Sequence, residues 1–232
     1  MSPETSVDLR LHPDRLVGFL LVVTATVLGL GCLREIVGMV LGLPTRTMGF
    51  LFISLNDEQA IPAWWSSTML TLAGLSMWLC GALERRRSRS TYPGWILLGT
   101  GFVYASLDEA IVLHEHFADW VPWEPTGLFR YRWVIVGLPI VAAVGLVFLP
   151  FLLRLPRRTA LRLVVGGATY VVGSLGAEML GGALHEQEGY SVSYLLVMML
   201  EETMEMVGVL LGIRAVLLHI SQVLGGLNLR LA

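Results

Sequence analysis

Six apolar stretches occupy most of the chain, at residues 16–43, 63–83, 95–114, 133–153, 161–184 and 192–218. Crossing a hydrocarbon core takes about 20 largely apolar residues in a helix, and these runs have that length. Lipid offers the backbone no hydrogen-bonding partner, so runs of this kind must satisfy their own N–H and C=O groups as helices. Only 15% of the residues are charged, against roughly 25% in a soluble domain, and the mean hydropathy is +0.69. The expected fold is all-α: a polytopic membrane helix bundle with about six transmembrane helices. The expected organisation is a polar N-terminal segment over 1–15, one transmembrane domain over 16–220 and a short tail over 221–232. The first apolar stretch is too long for the core of a cleaved signal peptide.

Every basic residue is an arginine, and arginine placement orients the spans. One side receives Arg10, Arg15, Arg85, Arg86, Arg87, Arg89, Arg154, Arg157, Arg158, Arg162, Arg214 and Arg230. The other receives Arg46, Arg130 and Arg132. The arginine-rich side is expected to be cytoplasmic, which puts both termini inside, as an even number of crossings requires. In the first stretch, Arg34 and Glu35 are expected to interrupt or end the helix, with a further break at Pro44. Trp64, Trp65, Trp120, Trp123 and Trp133 fit an outer interfacial belt. Asn56, Asp57 and Glu58 read as an exposed outer loop.

The acids matter more for their depth than for their number. Asp108 and Glu109 end the third stretch, Glu178, His185, Glu186 and Glu188 lie along and after the fifth, and Glu201, Glu202 and Glu205 lie well inside the sixth. All fall in the expected outer half, and the inner half reads as nearly free of acids. A charge within a bilayer costs at least about 2.5 kcal/mol, so these groups are expected to turn inward and share protons, metals, arginines or water. At about 100° per residue, Glu201, Glu202 and Glu205 share one broad face, which Gly208 and Gly212 continue. On a regular helix Glu109 aligns with His116, Asp108 with Glu115 and Glu178 with His185, while His114 points elsewhere.

Carboxylates with a few imidazoles suit zinc, iron or manganese. The expected metal ligands are Glu109, His116, Glu178, His185, Glu202 and Glu205. Asp108 and Glu201 are the expected catalytic groups, one carboxylate serving as general base. His114, Glu115, Glu186, Glu188 and Arg34 are outer partners or alternative ligands. There is no Glu-x-x-His pair of the kind dimetal bundles use. Bland readings stand beside these: polar helix ends for Asp108 and His185, interfacial positions for His114 and His116, and an ionic packing network around Arg34. His219 reads as an ordinary surface or interfacial residue. Cys32 and Cys80 imply no disulfide framework, and the basic run 84–90 is better explained by anionic lipid than by nucleic acid.

The reading is a membrane metal-binding protein, expected to be an enzyme near the outer face: a hydrolase with zinc or an oxidoreductase with iron, acting on a lipid or amphipathic substrate. The inventory of outer-side histidines, acids and a serine is similar to that of polytopic lipid amidases of the ceramidase type, with no motif matched residue by residue and no activity carried over. A cation or proton transporter and an accessory subunit bound to itself or to a membrane partner are the alternatives.

Overall fold

The computed structural model describes residues 9–10, 12–43, 49–87, 89–224 and 228–229. Its regular elements are helical apart from one two-residue antiparallel pair, in which β1 (Leu9–Arg10) meets β2 (Asn228–Leu229). The helices are α1 (Pro13–Val40), α2 (Ile61–Arg86), α3 (Tyr92–Ile111), α4 (Trp133–Arg154), α5 (Arg157–Val171), α6 (Glu178–Glu188) and α7 (Val192–Val223). A π-helical turn, Val172–Ala177, joins α5 to α6, so Arg157–Glu188 forms one 32-residue apolar unit. Five units are long and apolar enough to cross a membrane, or six if α3 is joined to the bent segment after it. The expected break at Pro44 and most of the N-terminal segment 1–15 lie outside the described residues.

Prolines near the starts of α1, α2 and α3 place their missing N–H where a helix leaves that group unpaired anyway. Ser191 caps α7 by accepting from the Tyr194 N–H at 3.1 Å. The expected interruption of the first span does not occur. α1 runs unbroken through Arg34 and Glu35 because the two buried side chains pair with each other, Arg34 Nη1 2.7 Å from Glu35 Oε1, and with Ser54, Leu55 and Tyr190 around them.

α7 is the central helix. Of its most apolar window 67% is buried, against 17% for the peripheral α4. It packs on α1, α2, α5 and α6. The middle of the bundle is a dry layer in which Met69, Ala73 and Met77 of α2 meet Met206, Val209, Ile213 and Val216 of α7, all essentially inaccessible. Two helix pairs approach to backbone distance. A Cβ on Gly208 would stand 2.6 Å from the Tyr170 nitrogen and 2.9 Å from the Gly166 oxygen, and one on Gly74 would stand 2.8 Å from the Gly99 oxygen. Small residues at these crossings are what let the helices touch.

Candidate functional site

Above the dry layer, at the opposite end from the chain termini, lies a cavity of about 120 Å³. Its lining is Leu55, Asp57, Glu58, Ala63, Glu109, His114, Glu178, Glu201, Glu202 and Glu205. α3, α6 and α7 and the loop before α2 thus send seven acids into one small space, the segment after α3 adds His114, and among the described residues no arginine shares it. An open depression of about 520 Å³ adjoins it through Asp57 and Glu58 and is lined also by Leu51, Asn56, Gln59, Val112 and Glu115.

Each contributor is aimed by a local device. Glu201, Glu202 and Glu205 lie on the one broad face of α7 that their spacing dictates. Glu178 follows directly on the π turn, where one extra residue per turn redirects the chain. Gly173 within that turn lies against α7, where a Cβ would come 3.2 Å from the Glu205 nitrogen. The indole of Trp133 donates to Glu178 Oε1 at 2.9 Å, and its ring lies 4.8 Å from that of His114. His114 Nδ1 is 3.1 Å from Asp108 Oδ2.

The loop acids are held by a buried network. Glu35 accepts from Ser54 Oγ at 2.7 Å, the Leu55 N–H at 3.2 Å, the Tyr190 hydroxyl at 2.8 Å and Arg34. Asn56 Oδ1 accepts from the Tyr194 hydroxyl at 2.9 Å. Asn56 and Glu58 are exposed, as expected of this loop, and Asp57 is half-buried; Asp57 and Glu58 also form the lip of the cavity. Partial desolvation there, then the nearby Glu115, pushes the Glu58 carboxyl above its ordinary range, and His114 opposes the shift.

Four of the six expected ligands, Glu109, Glu178, Glu202 and Glu205, line the cavity together with Glu201. The two expected histidines do not. α3 ends at Ile111, Val112 turns into the left-handed region at φ +57°, and the next segment, Leu113–Trp120, departs at 84°. The helical register that would have aligned His116 with Glu109 is lost. His116 is exposed, near the Val112 carbonyl, and the bend brings His114 to the acids instead. His185 shares its helical face with Glu178 but stands seven residues beyond it, about 10 Å along the axis. Its ring packs 5.0 Å from Tyr194. Asp108 is the partner of His114 and is not in the lining. Glu115 lines the outer depression, Glu186 accepts from the Gly127 N–H at 2.6 Å, and Glu188 is exposed. Arg34 is engaged with Glu35 and Ser54 and does not reach the lining.

No three of the cavity acids bring ligand atoms within 4.8 Å of one another; among the described residues the group that does is Cys80, Glu84 and His219, at the other end of the bundle. That buried group could hold a metal ion. His219 Nε2 is 2.9 Å from Glu84 Oε1 and its Nδ1 is 3.0 Å from Thr159 Oγ1. The expected surface position of His219 is thus corrected: α7 carries His219 inward onto α2 and α5. The available signal was Cys80 and Glu84, four apart on one helical face.

No curated protein and no solved structure matches the chain. Residues 17–220 match the family described as Domain of unknown function (DUF8692), and the chain belongs to that family.

Proposed function

We propose that the chain is a multi-pass membrane protein with both termini cytoplasmic, which binds divalent metal ions in the carboxylate cavity near its outer face and uses them as an enzyme on a lipid-like, amphipathic substrate. The observation that carries this reading is the lining: among the described residues, seven acids and a single histidine surround about 120 Å³, with no arginine among them. Like charges crowded at low dielectric must be compensated by protons or by cations. An oxygen-rich donor set with one imidazole suits manganese or iron(II), with zinc a further candidate. Asp108 Oδ1 adds a buried acceptor without a hydrogen-bond partner among the described residues.

Two features favour chemistry over passage through the membrane. Asp108 engages Nδ1 of His114, which leaves Nε2 to coordinate or to take a proton. A metal in the cavity would supply Lewis acidity and polarise a water. Second, among the described residues the acids of the cavity do not continue inward along α7. Glu205 and His219 are fourteen residues apart on α7, about 21 Å at 1.5 Å per residue, and the dry methionine and valine layer fills that interval. The arginine asymmetry and the paired chain ends support the cytoplasmic termini.

Elemental analysis of detergent-purified protein tests the metal. The wild type and Glu124→Gln, an exposed control, are expected to carry manganese, iron or zinc, and the double variant Glu202→Gln/Glu205→Gln is expected to lose at least one equivalent. Equal metal content in all three contradicts the reading.

A further inference from the structure

We propose that Cys80, Glu84 and His219 form a second metal site, buried and suited to zinc or an ion of similar softness, independent of the carboxylate cavity. Cys80 and Glu84 project from adjacent turns of α2 and His219 from α7, and their ligand atoms lie within 4.8 Å of one another. All three side chains are essentially inaccessible. Thiolate, carboxylate and imidazole are the donors zinc takes, and three protein ligands leave one position for a small ligand such as water.

The surroundings are those of a ligand set already oriented. A metal-bound histidine normally gives its other ring N–H to an oxygen acceptor. Thr159 Oγ1 stands at that place, 3.0 Å from Nδ1, and is itself buried. The Thr91 hydroxyl donates to Glu84 Oε2, which leaves Oε1 facing His219 Nε2. The Trp95 ring, wholly buried, lies 5.1 Å from the His219 ring and shields it from solvent.

Charge also balances. With zinc, the two positive charges are matched by the Cys80 thiolate and the Glu84 carboxylate, with the imidazole neutral. The ion binds at Oε1, Nε2 and Sγ as the Cys80 thiol gives up its proton and the proton between Oε1 and Nε2 vacates that position. The filled site carries no net charge, which limits the cost of burying the cation. The bound ion would tie α2 to α7, with α5 and the start of α3 held through Thr159 and Thr91.

Cobalt(II) reports the site, because a thiolate ligand gives an intense ultraviolet charge-transfer absorption that carboxylates and imidazoles do not. Full-length protein is stripped with chelator and titrated with cobalt(II). The band is expected in the wild type, in Cys32→Ser and in Glu202→Gln/Glu205→Gln, and is expected to be absent in Cys80→Ser. His219→Gln is expected to weaken cobalt binding at least tenfold. The Cys32→Ser control removes the only other thiol in the chain. Absence of the band in folded wild-type protein overturns the proposal whatever the variants do, and so does a band that survives in Cys80→Ser. Because the cavity double variant keeps this band while losing its other metal, failure of either site is read separately.

Discussion

At the scale of single residues the site turns on His114, which helical phase alone points away from the acids and one backbone reversal at Val112 brings to them. A β-branched residue at φ +57° is an outlier that costs on the order of 1–3 kcal/mol, so the reversal persists only because its surroundings over-determine it. The imidazole then sits between the Trp133 ring and Asp108. Asp108→Asn is expected to weaken manganese binding roughly 10–100-fold, while the helical circular dichroism stays unchanged. A titration showing wild-type affinity would deny Asp108 its positioning role. The glutamates of α7 were legible in sequence because three residues at positions i, i+1 and i+4 face together on any regular helix. The exchange of His114 for His116 was not, because no glycine or proline marks the reversal. The same limit hid the contribution of Asp57 and Glu58 to the cavity. Their place depends on Glu35, twenty or more residues away in sequence, gathering Ser54, Leu55 and Tyr190 by hydrogen bonds.

At the scale of elements, two devices set the helix positions. The π turn aims Glu178, and the glycine contacts bring α5 against α7. Gly208→Ala would put a methyl group 2.6 Å from the backbone nitrogen of Tyr170, an atom that cannot move aside as a side-chain end can. The overpacking cost is about 1–3 kcal/mol. The thermal midpoint in detergent is expected to fall, whereas Gly101→Ala, with nothing near its added Cβ, is expected to leave it unchanged. An unchanged midpoint in Gly208→Ala would show that α5 and α7 are not so closely packed. The glycines were visible as a stripe continuing the acids of α7, but their partners Gly166 and Tyr170 belong to another helix, and pairing between helices has no local signal. The span boundaries, set by hydropathy, came within a few residues. The continuation of α1 through Arg34 and Glu35 did not follow from hydropathy, since a buried charge pair, partnered by residues distant in sequence, looks like a helix end.

At the scale of the whole molecule, polarity is sorted along the bundle axis: an acid-lined cavity at one end, a dry methionine-rich layer in the middle, and a compact Cys–Glu–His group at the other end. The sorting gives the account its central claim, that the cavity is a one-sided metal site. The apolar surface of α4, with Leu146 71% and Leu153 76% exposed, fits lipid in the same arrangement. The most direct test is a crystal structure of the protein loaded with manganese, with an anomalous difference map recorded at the manganese edge. The account predicts a peak inside the cavity, within coordination distance of carboxylates among Glu109, Glu178, Glu202 and Glu205. A cavity without a peak, its acids paired with one another or with water alone, would contradict it.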